Sequence, residues 1–414
     1  FFADAPHRRP SAPIRATRPV VVPSASELEE AAAVLNAAGK VTILAGAGVA
    51  GSHDEVLALA GRLQAPIVHA FRGKEHIEYD NPYDVGMTGL LGFSSGYRAM
   101  EKCDALLMIG TDFPYRQFFP EKAKIVQIDI RGEQLGHRTP IDVGLVGDAG
   151  ATASALLPLI DQDRKDHHLK ESVEHYRKTR RELDGLANDD GKKPIHPQYV
   201  ARLVDELAAP DAVFTADVGT PVIWAARYLH MTKQRRLLGS FTHGSMANAL
   251  PQALGVQAVD RSRQVIALAG DGGLAMLMGD LLSIRQNDLP VKIVVFDNSA
   301  LGFVEVEMKA AGIVNYGTDL HNPDFAAVAE AVGITGIRVE SAADLEPALR
   351  RALADPGPVL VNVVVAREEL SMPPSITAAQ AKGFSLWALR TVLSGRGDEL
   401  LDLADTNLWR RLFD

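Results

Sequence analysis

Short apolar runs alternate along this chain with stretches whose apolar positions recur three and four apart. Val41–Ala45, Pro66–Val68, Ala105–Ile109 and Ile125–Ile130 are such runs, and a helical pattern near His53–Leu63 lies among them. Ahead of them Ser26 predicts a helix start, with Glu27, Glu29 and Glu30 at the positive end of the helix. Apolar strands separated by helices predict a parallel sheet covered by helices. A second series opens at His196 with Ala212–Thr215, Val265–Ala269, Val291–Phe296 and Val359–Val365. Between the two, Asp161–Lys193 is dense in Lys, Arg, Glu and Asp and predicts an exposed helical connector. The expected organisation is a Pro-rich linker at 1–20, an α/β domain at 21–160, a connector at 161–195, a second α/β domain at 196–365 and a tail at 366–414. No repeat of solenoid period interrupts it.

Composition narrows the function classes. With 414 residues, 47% hydrophobic, the chain can bury more than one core. A net charge of −9, with no concentrated Lys and Arg, argues against a nucleic-acid partner. The single cysteine, Cys103, rules out an intrachain disulfide framework and fits a reducing, cytoplasmic setting. No uninterrupted apolar run is long enough to span a bilayer, and Phe1-Phe2-Ala3-Asp4 lacks the layout of a signal peptide. Because the chain opens without Met inside a Pro-rich stretch, a preceding domain is expected.

Two strand ends carry the chemistry. Val265–Ala269 stops on Gly270-Asp271-Gly272-Gly273, and Ile293–Phe296 stops on Asp297-Asn298-Ser299. Ligands of parallel α/β sheets sit outside the carboxyl ends of strands. The glycines admit an anion close to the backbone, and a helix expected over Leu274–Gln286 points its positive end there. A carboxylate facing phosphate needs a divalent cation between them, so Asp271 and the amide of Asn298, 27 residues later, are candidate Mg²⁺ ligands. Either segment alone reads as a turn or a cap. Together, each closing a strand, they predict a metal–phosphate cradle.

With Gly270-Asp271-Gly272 and Asn298 in hand, the chain resembles the thiamine-diphosphate decarboxylases and oxidases. It departs at Asp297, where that family usually has a first asparagine. Asp217-Val218-Gly219-Thr220-Pro221, Gly239–Ala249 and Leu301–Lys309 narrow the resemblance to the pyruvate dehydrogenase (quinone), or pyruvate oxidase, family, from about Val20 to the C-terminus. The resemblance implies that Asp217, Gly219 and Thr220 lie beside the diphosphate, and that Gly244, Ser245 and Met246 meet the thiamine rings. It implies further cofactor contacts at Asp271, Gly272, Gly273, Asn298, Ser299, Ala300, Leu301 and Gly302. Met246 is a bulky, pliable prop that would hold the two rings bent together, although ordinary core packing is the alternative. Phe303 and Glu307 are implied near the substrate carbon and the flavin as candidate catalytic residues. Core packing is an equal alternative for Phe303.

The first domain contains Gly46-Ala47-Gly48-Val49-Ala50-Gly51, a literal G-x-G-x-x-G, but no acidic residue follows in Ala65–Phe71 to hold a ribose, which argues against an orthodox NAD site. The resemblance implies FAD here, on Gly89, Leu90, Leu91 and Gly92, on Asp112, Phe113, Pro114, Tyr115 and Arg116, and on Asp129 at a strand end. It also implies that the glutamate acting on the thiamine pyrimidine comes from an N-terminal domain outside this chain.

The function this implies is oxidative decarboxylation of pyruvate to acetate and CO₂, with electrons passing through FAD to a membrane quinone, in a homo-oligomer (a homotetramer) peripheral on the inner face of the cell membrane. Two alternatives stand beside it: an acetolactate-synthase-like carboligase with structural FAD, and a non-catalytic cofactor-binding subunit. The tail at Gly397–Asp414 places Leu400, Leu401, Ala404, Leu408 and Leu412 on one helical stripe, flanked by Trp409 and Phe413. It predicts an amphipathic helix docked either on protein or on a lipid surface.

Overall fold

The computed structural model describes residues 17, 19–189, 191, 194–369, 378–394 and 397–407. The first sheet contains β1 (Val41–Ala45), β2 (Ile67–His69), β3 (Asp84–Met87), β4 (Ala105–Ile109), β5 (Lys124–Asp129) and β6 (Val143–Val146). They are ordered β3-β2-β1-β4-β5-β6, and every pairing is parallel. The second contains β7 (Val213–Ala216), β8 (Arg236–Leu238), β9 (Val265–Gly270), β10 (Lys292–Asp297), β11 (Thr335–Val339) and β12 (Val359–Val364). Its order is β11-β12-β10-β9-β7-β8, again parallel throughout. Strand order reverses between β1 and β4 in one sheet and between β7 and β9 in the other, and such reversals open a crevice at the carboxyl ends. The central strands are buried on both faces, which is why they read as unbroken apolar runs rather than alternating ones.

Three local expectations are corrected. The first helix spans Ala25–Ala37 and is capped by Ser24, not Ser26, because Ser24 and Glu27 satisfy one another's backbone N–H groups in a capping box. The helix expected over Leu274–Gln286 is two helices, Asp271–Met276 and Asp280–Gln286. Gly272 and Gly273 weaken the first, while Asp280 favours a fresh start at the second. The connector helix, His167–Leu186, is not simply exposed, since His168, Ser172 and Thr179 are buried and Tyr176 packs beside Phe93.

The two sheets meet through specific contacts. Glu75 receives both guanidinium bonds of Arg236, at 3.0 and 3.1 Å, and the Leu237 N–H at 2.8 Å. Arg227 donates to the carbonyls of Leu91 and Gly92. Phe71 meets Phe241 edge-on with ring centroids 4.4 Å apart.

In the tail, a helix at Ala378–Leu393 packs on the helix Gly302–Ala310, and a second spans Gly397–Asn407. Gly383 is required at that crossing, since a Cβ there would lie 1.9 Å from the Ala310 carbonyl. The rest of the expected amphipathic stripe, from Leu408 to Asp414, lies outside the described residues, as does nearly all of the expected linker. Among the described residues no helix is long and apolar enough to cross a membrane.

Candidate functional site

The carboxyl ends of β7, β9 and β10 converge on one cradle. Asp217 follows β7 and is almost wholly buried. Its Oδ1 accepts the Ala249 N–H at 2.8 Å and its Oδ2 the Gly270 N–H at 3.2 Å, so it fastens the loops after β7 and β9 to the start of the helix Ala249–Val259. Burial raises its carboxyl above the ordinary range, against the pull of these N–H groups. Gly273 lies directly over it: a Cβ there would sit 2.2 Å from Asp217 Oδ2. Gly219 caps the helix Thr220–Tyr228, and Val218 N–H donates to the Ser245 carbonyl at 3.3 Å, which brings the 217–220 and 244–246 segments together.

Asp271, at the end of β9, accepts three donors: the Gly272 N–H at 2.8 Å on Oδ1, and the Ser299 N–H at 2.7 Å and Asn322 Nδ2 at 2.8 Å on Oδ2. Burial pushes its carboxyl up to about 6; neighbouring Asp297 adds to the rise, and the three hydrogen bonds oppose it. Asn298, at the end of the adjacent strand β10, is buried, and its Oδ1 accepts the Ala300 N–H at 3.2 Å. Asp297 is held in a cage of Asn322 at 2.8 Å, Asn362 at 3.3 Å and the Ser299 hydroxyl at 3.3 Å.

The remaining cradle residues crowd in. A Cβ at Gly272 would meet Met246 Cε at 3.1 Å, Leu301 Cδ2 at 3.2 Å and Leu320 Cδ1 at 3.3 Å; one at Gly302 would meet Asn298 Nδ2 at 2.8 Å and Thr220 Cγ2 at 3.1 Å. Ser299 (φ 53°) and Ala247 (φ 60°) hold left-handed backbone, a strain that side-chain-bearing residues keep chiefly at functional sites. One carboxylate and one amide on adjacent strand ends are a donor set that fits a divalent cation held against a diphosphate. Phe303 is half-buried against the core under β7–β12, and Glu307 stands exposed one turn further along the same helix.

In the first domain, Gly89 (φ +100°) lies where a Cβ would be 3.1 Å from Phe113 and 3.2 Å from Tyr115, so these segments meet. Phe113 is buried, Leu91 packs toward the second domain, and Leu90, Pro114 and Arg116 are exposed. Gly92 N–H closes the turn onto the Gly89 carbonyl. Asp112 is gripped by Arg138 through bonds of 2.7 and 3.0 Å, which hold its carboxyl below the ordinary range. Asp129 sits at the end of β5 and accepts the Arg131 N–H at 2.9 Å. The G-x-G loop is shut by protein: a Cβ at Gly46 would lie 2.4 Å from the Gly110 carbonyl and one at Gly48 2.6 Å from Gly110 Cα, and both loop N–H groups bond across to β4 and the residue after it. Its glycines serve backbone packing.

Asn322, Asn362 and Asn248 were not anticipated from sequence. Asn248 accepts the Ser240 N–H at 3.0 Å and donates to the Ser245 carbonyl at 2.7 Å. Asn322 and Asn248 are lone asparagines in loops, which carry no spacing signal, and Asn362 is a single polar residue in the apolar run of β12.

Comparisons with known proteins accord with this geometry. The profile of the thiamine pyrophosphate enzyme C-terminal TPP-binding domain matches residues 217–363, and that of the thiamine pyrophosphate enzyme central domain matches 28–156. A Bacillus subtilis protein named "Putative thiamine pyrophosphate-containing protein YdaP" is 35% identical over 391 residues, covering 94% of this chain and 67% of the relative. The "Probable acetolactate synthase large subunit" of Methanocaldococcus jannaschii is 31% identical over 378 residues (86% and 63%). The acetolactate synthase large subunit of Corynebacterium glutamicum is 28% identical over 397 residues (92% and 63%). The chain thus spans about two thirds of the length of these relatives.

Proposed function

The chain belongs to the thiamine pyrophosphate enzyme family, and from that premise we propose that it is the cofactor-bearing part of an enzyme that decarboxylates pyruvate and joins the remaining two-carbon unit to a second 2-oxo acid. The observation that carries this reading is the Asp271–Asn298 cradle at the ends of β9 and β10, in a chain whose named relatives include acetolactate synthases. Thiamine diphosphate, when bound, supplies the electron sink for loss of CO₂ from a 2-oxo acid. Asp271 and Asn298 would hold Mg²⁺ against the diphosphate, Gly272 and Gly273 let Met246 and Asp217 pack close behind them, and Met246 would prop the rings. Phe303 and Glu307, on the helix leaving the cradle, bound the space for substrate. In this reading FAD, if held by Gly89–Gly92, Asp112–Arg116 and Asp129, is structural.

A second reading, oxidation of the two-carbon unit to acetate with FAD passing electrons to a membrane quinone, is favoured by the resemblance of Gly239–Ala249 and Leu301–Lys309. It carries with it a homo-oligomer at the inner face of the cell membrane, with the tail meeting lipid. Because the implied catalytic glutamate lies outside this chain, anaerobic mixing of pyruvate with the flavin-loaded protein extended by that N-terminal domain separates the two. Acetolactate without flavin bleaching supports carboligation, bleaching with acetate supports oxidation, and neither product points to a non-catalytic subunit.

A further inference from the structure

Behind the cradle, Glu305 and Lys309 are 1% and 2% exposed, and the proposed chemistry uses neither. Buried charges persist only when paired, and their partners come from the segment that leaves β12. Lys309 pairs with Glu368, and the guanidinium of Arg367 bonds to both oxygens of Glu305 and to Asp319 Oδ1, the latter at 2.7 Å. Thr318 Oγ1 also donates to Glu305, at 2.7 Å. Asp319 lies opposite Ala300 in an isolated antiparallel bridge, flanked by Leu301 N–H to the Thr318 carbonyl at 2.8 Å and Leu320 N–H to the Ser299 carbonyl at 2.9 Å. So short a pairing is weak by itself. Yet it places Ser299, which holds Asp271, and leads directly to Asn322, which bridges Asp271 and Asp297.

We propose that Arg367 is a positioning residue for the cation and diphosphate: by clamping Glu305 and Asp319 together it fixes the 318–322 segment to the helix Gly302–Ala310, and so sets where the cradle oxygens point. This rests on the reading of that cradle as a thiamine diphosphate site. A planar guanidinium can bind two carboxylates at once, which an ammonium on a flexible stem does poorly. Arg367 also stands at the root of the tail, where Asn407 Nδ2 donates to the Glu368 carbonyl at 2.7 Å. The cradle and the tail root therefore share one set of charges.

The test is calorimetric titration of the full chain with thiamine diphosphate, with and without Mg²⁺, alongside Tm. Arg367→Met is expected to weaken Mg²⁺-dependent binding by about 10- to 100-fold. Arg367→Lys should recover Tm more than affinity. Arg390→Met, which removes a 2.6 Å bond from the tail helix to the Gly312 carbonyl, should lower Tm without moving the affinity. Wild-type affinity in Arg367→Met, or an equal loss in Arg390→Met, overturns the positioning role. Absence of Mg²⁺-dependent binding in the unsubstituted chain overturns the cofactor reading itself.

Discussion

Replacing Gly273 by Ala sets two effects against each other. Gly273 lies in the helix Asp271–Met276, where Ala is favoured over Gly by about 1 kcal/mol from propensity alone. The new Cβ, however, would fall 2.2 Å from Asp217 Oδ2 and 3.1 Å from the Ala247 nitrogen. Since real Cβ contacts do not come under 3.0 Å, the carboxylate must retreat by 3.0 − 2.2, or about 0.8 Å. Its 3.2 Å bond from the Gly270 N–H is then lost and the 2.8 Å bond from Ala249 is strained. Overpacking a core costs about 1–3 kcal/mol, and an unmet donor to a charged group costs about 1–3 kcal/mol more. The clash wins, for a net loss of about 1–5 kcal/mol. Urea denaturation of cofactor-free protein measures it, with Gly255→Ala as the opposite control. Gly255 is in the helix Ala249–Val259 with nothing within 4 Å of an added Cβ, so it should gain about 1 kcal/mol. A Gly273→Ala protein as stable as wild type would refute the claim that Asp217 is locked under the cradle.

Asn298→Ala should weaken Mg²⁺-dependent thiamine diphosphate binding severely while sparing the fold, read by titration and circular dichroism. Asp84, buried in the first domain, has a carboxyl pushed up from 3.8 to about 7 by burial and by Glu78. A raised folded-state value stabilises fully below about 3.8 and is lost as pH rises through about 7. Asp84→Asn should therefore gain stability over wild type as pH goes from 4 to 8, by at most about 4 kcal/mol; a pH-independent difference in urea midpoints would contradict this. For the tail, the lipid reading predicts that pyruvate-reduced full-length protein floats with anionic liposomes better than a version ending at Gly397, and equal flotation reduces the tail to a clasp.

Sequence legibility followed burial. β1, β4, β9 and β10 run through the sheet centres, so their apolar runs stand out; β3, β6, β8 and β11 lie at the sheet edges and carry no such run, and β11, Thr335–Val339, is only partly buried. That the ends of β9 and β10 meet was legible at Gly272 and Gly273, where a Cβ would be crowded, and at Asp271 and Asn298, whose side chains accept backbone N–H groups there. What escaped was the set of side chains that hold those residues: Asn322, Asn248 and Arg367 come from loops and Asn362 from the middle of β12, brought together only by the strand order. Ser24 was missed in favour of Ser26 because the deciding signal was Glu27, at the capping-box spacing from one serine and not the other. The G-x-G-x-x-G match shows the reverse hazard. Its glycines are needed, but for packing on Gly110.

The central claim is that β9 and β10 end in a divalent-cation and diphosphate cradle, and titration of Asp271→Ala with thiamine diphosphate, with and without Mg²⁺, tests it most directly. The account predicts saturable, Mg²⁺-dependent binding in wild type and none in the variant, because Asp271 is the one carboxylate in the proposed ligand set. Wild-type affinity in Asp271→Ala, or binding indifferent to Mg²⁺ in both proteins, would contradict it.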